Sequence, residues 1–176
     1  MAHKSGKINW TRLAASPQIP TGTDGVFAQI DLSAYVDPLH SKAFKIVEAS
    51  IILTSDTVPY GIANPAVTAG DYIPIGMQIA TGTQTTTLRP SDGKVLYHNA
   101  AGFIRDLDAA QNYVFQPWNT LDLWPDGYMA VVDTLTASVD VESTLGANFR
   151  MSYSITGYQV TVTSNQLASL LVAQTA

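Results

Sequence analysis

The chain has 176 residues, of which 46% are hydrophobic and only 13% are charged, with a net charge of −5 and no cysteine. This length fits one domain, and the lack of cysteine excludes a disulfide framework, a zinc–thiolate site, an iron–sulfur cluster and a thiol nucleophile. The charged fraction is about half of what a globular domain usually carries, so we expect another molecule to cover part of the surface.

Residues 1–25 are predicted to form a basic, flexible N-terminal arm and loop. Lys4, Lys7 and Arg12 precede the first acidic residue, Asp24, and the turn-forming sequence SPQIPTGTDG leads out of the arm. The arm is a candidate contact for nucleic acid or anionic lipid headgroups; a solvated terminus without a partner is the alternative. We expect neither a secretory signal nor a transmembrane segment, because no apolar run approaches about 20 residues.

Residues 26–163 are predicted to form a single β-sandwich domain. A half-buried strand is expected from Val26 to Leu32, and a longer strand from Lys42 to Thr54, with a bulge near Ala49 where the apolar pattern shifts.

The segment from Tyr72 to Ala80 alternates polar and apolar residues with a period of two, which is typical of a strand. Its proline at position 74 indicates an edge strand, because proline cannot donate a ladder hydrogen bond. A Thr-rich strand is expected to follow between Thr81 and Leu88.

The second half of the chain predicts short strands, a sharp turn and two long strands. The turn is WPDGY, Trp124 to Tyr128, where proline and glycine favour a tight reversal. Long alternating strands are expected from Tyr128 to Val141 and from Asn148 to Thr163, and Gly157 indicates a bulge in the second.

Residues 164–176 predict a short C-terminal helix and tail. Ser164 is the candidate N-cap, and Leu167, Leu170 and Leu171 share one helical face. No helices alternate with the strands, so parallel βαβ units are not expected. We predict an all-β fold, an antiparallel jelly-roll sandwich or barrel of about eight strands, with this helix at its C-terminus.

Residues that usually perform catalysis are sparse. His3, His40 and His98 lack metal-binding spacing and are interpreted as exposed loop residues. Glu48 and Glu142 are interpreted as outward-facing acids on strands, and no G-x-S-x-G elbow occurs. We therefore predict that the protein is not an enzyme and binds no cofactor.

Four aspartates are candidate ligands for calcium. Asp106 and Asp108 would share a strand face, and Asp122 and Asp126 are close enough in the chain to join them. The D-x-D-x-D-G loop is absent, so a polar strand end without metal is the preferred interpretation.

The densest aromatic stretch runs from Tyr113 to Tyr128. Trp118, Trp124 and Tyr128 are its candidate interface or ligand-contacting residues, because tryptophan and tyrosine are enriched at subunit contacts and also stack on sugars and bases. A position in the sandwich core is the alternative for the same side chains.

Taken together, the cysteine-free β domain, the basic arm, the sparse charge, the long loops rich in proline and glycine and the C-terminal helix resemble a single jelly-roll capsid protein. The nearest likeness is the small major capsid protein of tailless icosahedral bacterial and archaeal viruses with an internal membrane. The resemblance rests on overall pattern and carries over no functional residue.

This resemblance implies a structural virion protein, made in the host cytoplasm, that self-assembles into a shell with copies of itself or with a second capsid protein. It also implies contact of the arm with genome or internal membrane, and no small-molecule substrate. The alternatives are a carbohydrate- or calcium-dependent binding module that uses Tyr113 to Tyr128, and a phage tail or fibre component.

Overall fold

The computed structural model describes residues 8–57, 72–105, 112–115, 126–142 and 148–175. In these ranges the fold is mainly β, with a short 3₁₀ helix at Pro38–His40 and one α-helix, α1, at Ser164–Thr175. The strands are β1 Thr11–Ala15, β2 Gln18–Ile19, β3 Gly25–Asp31, β4 Lys42–Ser55, β5 Tyr72–Thr81, β6 Val95–Arg105, β7 Asn112–Phe115, β8 Tyr128–Ala130, β9 Thr134–Val141 and β10 Phe149–Thr161. The predicted all-β fold with a C-terminal helix is confirmed.

The described strands form two antiparallel sheets. Sheet A has the order β1–β10–β4–β8, with β2 also paired to β10, and sheet B has the order β3–β9–β5–β6–β7. Buried side chains from both sheets form one hydrophobic core, so the sheets pack face to face as a sandwich.

The connectivity is that of a jelly roll. The strands pair first as a long antiparallel ribbon, in which β1 and β2 pair with β10, β3 with β9, β4 with β8 and β5 with β6. The ribbon then wraps on itself, because β10 also pairs with β4 and β9 also pairs with β5. Two sheets made in this way are those of an eight-stranded jelly roll. Here β1 and β2 together take the place of its first strand, and β7 is an additional strand at the edge of sheet B.

Strand β10 alternates regularly along its whole length. Phe149, Met151 and Ile155 are buried in the core, as the sequence pattern predicts. Beyond Gly157 the apolar residues move to the opposite face, where Val160 and Val162 pack with α1. The irregularity predicted at Gly157 is present as a register shift between Thr156 and Gly157, but β10 itself carries no extra residue. Its apolar pattern shifts because the covered face of the sheet changes.

The extra residue lies in the partner strand β4. Thr156 pairs with Glu48 and Gly157 pairs with Ile46, which leaves Val47 without a counterpart. This bulge keeps Ile46 and Ala49 on the same buried face although they are three residues apart. The predicted bulge in this strand is present, two residues before Ala49.

Strand β5 has the predicted period of two, but it is not an edge strand, because it lies between β9 and β6. Pro74 pairs with Gly102 of β6, whereas the ladder with β9 begins only at Ile75. The carbonyl of Pro74 accepts a bond from the N–H of Glu142, just beyond the end of β9. Proline is tolerated there because its missing N–H would point past the end of the neighbouring strand.

The predicted Thr-rich strand after β5 is wrong, because residues 82–94 form a connection without strand structure that covers the outer face of sheet B. The side-chain amide of Gln78 donates to the carbonyl of Leu88 (2.8 Å) and accepts from its N–H (3.0 Å). The hydroxyl of Thr136 donates to Gly82 (2.7 Å) and accepts from the N–H of Gln84 (3.0 Å). These bonds satisfy polar side chains that the connection buries.

The segment predicted to be a flexible arm contributes two strands to sheet A. β1 runs along β10, with Leu13 opposite Ile155, and β2 pairs Ile19 with Phe149. Ile19 is fully buried in the core. The prediction fails for residues 11–19 because these strands are too short, and their apolar residues too few, to produce a visible period.

Helix α1 begins at Ser164, so its N-cap is Thr163, one residue before the predicted cap. Thr163 accepts a bond from the N–H of Gln166 through its hydroxyl, and the Gln166 side chain accepts one from the N–H of Thr163. This reciprocal pair is a capping box, with Thr163 in the place assigned to Ser164. The predicted apolar face is confirmed, because Leu167, Leu170 and Leu171 pack against Ala43, Val131 and Val162.

The other end of α1 closes the outer edge of β8. The side-chain amide of Gln174 accepts a bond from the N–H of Val131 (3.0 Å) and donates one to the carbonyl of Met129 (2.6 Å). Gln174 is only 4% exposed. Its amide therefore stands in for the peptide group of a neighbouring strand.

We expect Gly157→Ala to destabilise the protein by about 2–3 kcal/mol. A methyl group at this position would lie 2.4 Å from the carbonyl oxygen of Lys45 and 2.8 Å from the ring of Phe44. Gly76→Ala is the matched control in β5, because its methyl group would meet only an atom 3.9 Å away. Chemical denaturation measures both, and equal midpoints for the two variants would contradict the close approach of β10 to β4.

Replacing Gln174 with leucine is expected to cost about 2 kcal/mol, because a buried N–H and a buried carbonyl on β8 lose their partners. Val172→Ala, on a side chain that is 68% exposed on the same helix, should change the free energy of unfolding by less than about 0.5 kcal/mol. Urea denaturation of both variants provides the measurement. A Gln174→Leu variant as stable as the parent would show that α1 does not hold the β8 edge.

Candidate interaction surfaces

Trp10 exposes a large aromatic surface immediately before β1. Its side chain is 58% exposed, and its ring meets that of Tyr158 edge to face, with the ring centroids 5.0 Å apart. Arg12 lies opposite Thr156 in the ladder, so Trp10 continues the outward-facing row of β1. An exposed tryptophan held by a second ring is the type of side chain that protein contacts use as an anchor.

A cavity of about 480 Å³ adjoins this aromatic pair. Its walls are Ile8, Asn9, Thr11, Ala34, Tyr35, Tyr158 and Gln159. We call these residues together with Trp10 the Trp10 surface.

Tertiary contacts hold the walls of the Trp10 surface in place. The side chain of Gln159 donates a 2.9 Å bond to the carbonyl of Tyr35. The Tyr35 ring packs on the fully buried Phe44, with the centroids 5.2 Å apart. Ile8 remains 51% exposed, so this preformed surface presents apolar area to solvent.

Four further large apolar side chains are exposed in the described part of the domain. Leu39 is 93% exposed in the 3₁₀ helix, Val47 and Ile52 are 37% and 51% exposed in β4, and Val172 is 68% exposed on α1. The exposed apolar residues therefore lie in separate elements instead of lining one pocket.

Of the three basic arm residues, the structure describes Arg12, while Lys4 and Lys7 lie outside the described residues. Arg12 belongs to β1 and is exposed, and its Nε donates a 2.9 Å bond to the hydroxyl of Ser154. The guanidinium is thus attached to the outer face of sheet A and not to a flexible arm.

Of the three candidate aromatic residues Trp118, Trp124 and Tyr128, the structure describes Tyr128. Tyr128 is 5% exposed and belongs to the core, and its hydroxyl donates a 3.1 Å bond to the carbonyl of Gly93. Burial raises the pKa of this phenol above its ordinary value. Tyr128 faces inward because it pairs with the buried Ile46, so the prediction of an interface or ligand role is wrong for this residue. Trp118 and Trp124 lie outside the described residues.

The turn before Tyr128 has the predicted glycine geometry. Gly127 has a φ of +78°, and a methyl group there would lie 2.5 Å from the carbonyl oxygen of Ile46. Only glycine fits this position without strain.

The histidines that the structure describes occupy different environments. His40 is exposed in the 3₁₀ helix, as expected, and its Nδ1 contacts the carboxylate of Asp37. His98 is a half-buried residue of β6 opposite Gln78, so its assignment to an exposed loop is wrong. Burial lowers the pKa of His98 because desolvation disfavours the charged imidazolium. His3 lies outside the described residues.

Those candidate acidic residues that the structure describes are exposed. Glu48 on β4 and Glu142 directly after β9 are both exposed, which agrees with the prediction of outward-facing acids. Asp126 is exposed in the turn, whereas Asp106, Asp108 and Asp122 lie outside the described residues.

The described part of the chain contains neither a candidate metal cluster nor a membrane-crossing helix. Within it, no three acidic or histidine side chains approach one another closely enough to hold a metal ion. Its helices include none with the length and apolar character needed to cross a membrane.

No protein-family model and no curated protein matches the chain. The Trp10 surface was not found by the sequence analysis, because Ile8 and Trp10 fall within the segment read as an arm. The detectable signal was the spacing of Ile8, Trp10 and Arg12 two positions apart, in a stretch shorter than the windows that identify strands.

We expect the protein to lose stability as the pH falls from about 7.5 to 5.5, and His98 to contribute to this loss. The folded pKa of His98 lies below the ordinary value of 6.5, so the unfolded chain binds this proton more readily and stability rises with pH. His98→Gln should show a shallower dependence of the melting temperature on pH. Thermal unfolding at several pH values tests this, and identical slopes for the two proteins would contradict it.

Proposed function

We propose that this protein is a structural shell subunit that assembles with copies of itself, as its resemblance to single jelly-roll capsid proteins implies. The observation that carries the proposal is the Trp10 surface, a preformed surface beside β1 with exposed apolar side chains. Exposed apolar patches of this kind mark contacts with other proteins.

The distribution of the other exposed residues supports many contacts per subunit. Leu39, Ile52 and Val172 are exposed on three further elements, and a subunit of a closed shell needs contacts on several sides. Each such contact supplies only a few kcal/mol, but the contacts add up when the shell closes. A site for one small ligand would instead gather its apolar residues in one cavity.

The composition also favours association. With 13% charged residues, fewer charged side chains lose their water when copies pack together than at the surface of an ordinary domain. In this proposal Lys4, Lys7 and Arg12 face the genome or an internal membrane, the shell is located in the virion, and a second capsid protein completes it where copies alone do not close.

A second candidate function is carbohydrate binding at the Trp10 surface. The exposed ring of Trp10 contacts Tyr158, and Tyr158 lines the same cavity as Asn9 and Gln159, whose side chains carry amides. Sugars bind by stacking on such rings while amides bond their hydroxyls. Binding of oligosaccharides to a monomer, detected on a glycan array and lost in Trp10→Ala, would support this function over assembly.

We expect Trp10→Ser to weaken self-assembly, because it removes the central anchor of the Trp10 surface. Trp10→Phe is the matched variant that keeps a ring against Tyr158, and it should assemble at nearly the parental concentration. Light scattering behind size-exclusion chromatography, across salt and protein concentration, measures assembly, and negative-stain imaging identifies shells or sheets.

The serine variant should remain folded, because an edge-to-face ring pair contributes only about 0.5–1.5 kcal/mol. Parental assembly by Trp10→Ser would remove the Trp10 surface from the proposal. A parental protein that stays monomeric under every condition, with or without a co-expressed second capsid protein, would refute the shell function.

A further inference from the structure

Among the strands that the structure describes, β3 is the last strand on one side of sheet B. Its described partner is β9, which pairs with all seven of its residues. The N–H of Val141 donates to the carbonyl of Asp24, and the N–H of Leu32 donates to the carbonyl of Asp133. The backbone N–H and C=O groups of the even-numbered residues of β3 therefore point at β9. Those of the odd-numbered residues point away from β9, toward the outside of the sheet; these residues are Gly25, Phe27, Gln29 and Asp31.

Other edges of the sandwich carry protection that β3 lacks. Gln174 covers the free side of β8. Strand β1 is only five residues long, includes Arg12 and is followed closely by Pro17. Strand β3 has no proline, no bulge in its ladder and no charged residue before Asp31. Unprotected edges of this kind pair readily with another strand.

We propose that β3 pairs with β3 of a second copy of this chain, antiparallel across a two-fold axis at Ala28. This inference rests on the proposed self-assembly and names one surface that it uses. Pairing through the odd-numbered residues makes sheet B continuous between the two copies.

The sequence of β3 complements itself in this register. Ala28 lies opposite Ala28 of the second copy, and the apolar Val26 lies opposite Ile30. Phe27 lies opposite Gln29, and Gly25 lies opposite Asp31, so no like charges meet across the axis. Because the backbone groups of Ala28 point at β9, the central pair is a non-hydrogen-bonded pair, with its Cα atoms about 4.5 Å apart.

Burial at the edge agrees with a missing neighbour. Val26 and Ala28 point inward and pack against the core, but they are only partly buried. An added strand would cover them. The Trp10 surface begins close to this edge, because two of its residues, Ala34 and Tyr35, follow shortly after the end of β3 in the chain.

The test uses single cysteines in the full chain, which has none of its own. Two facing Ala28→Cys residues would have a Cα separation that a disulfide accepts, so mild oxidation should convert most of this variant into a covalent dimer on a non-reducing gel. Val26→Cys is the matched control, equally half-buried on the same face but opposite Ile30, and it should remain monomeric on the gel.

Dimers from both variants in equal amounts, or from neither, would overturn the pairing of β3. Light scattering on the reduced parent protein separates this failure from failure of the proposed function. Assembly of the parent without the Ala28→Cys crosslink means that another surface is used, whereas a parent that never associates removes both proposals.

A charge exchange tests the register independently. Phe27→Lys combined with Gln29→Lys places two lysine pairs across the axis and should weaken dimerisation about tenfold relative to Phe27→Glu combined with Gln29→Lys, which forms two opposite-charge pairs. Both double variants lose the Phe27 ring, so the effect of this loss on folding stability is the same in the two proteins and cancels when they are compared. Equal dimer dissociation constants, measured by analytical ultracentrifugation, would overturn the register.

Discussion

The pairing of β10 with β4 is the constraint on which the rest of the structure depends. It aligns the two longest strands, which come from opposite ends of the domain, along the full length of β10. Strands β1 and β2 add to the other side of β10, β8 adds to the other side of β4, and α1 follows β10 directly. Because it brings together distant parts of the chain, this contact pays a large loop-closure entropy. The ladder therefore requires close packing, which the Val47 bulge and the bare backbone of Gly157 allow.

Two buried glutamines join the two sheets to segments that pack against them. Gln78 bonds both backbone groups of Leu88 across the outer face of sheet B, and Gln174 bonds two backbone groups of β8 at the edge of sheet A. A primary amide has a donor and an acceptor in the same arrangement as a peptide group, so Gln78 can pair with both backbone groups of Leu88, and Gln174 replaces part of a missing strand beside β8. This protection requires no charged residues, which agrees with the low charge of the chain.

Some sides of the sandwich are covered by other segments of the chain, and other sides are not covered by any described residue. The outer face of sheet B is covered by residues 82–94, and part of the outer face of sheet A is covered by α1. In the described residues the Trp10 surface and the edge of β3 are adjacent and lack such cover. A subunit with covered and open sides assembles in defined directions, because only the open sides gain from contact. This distribution, together with the jelly-roll connectivity, is the basis for proposing a shell subunit.

The sequence by itself determined the all-β class, the C-terminal helix, the inward row of β10 and the period of β5, because these depend on local alternation and turn chemistry. Only the tertiary structure decided which strands lie at an edge, since Pro74 fits a central strand where β9 ends. It also decided that residues 11–19 are strands, that the bulge belongs to β4, that Tyr128 is a core residue and that Trp10 is exposed. These outcomes depend on which face of a strand another element covers. Such contacts join residues far apart in the chain, and no local pattern records them.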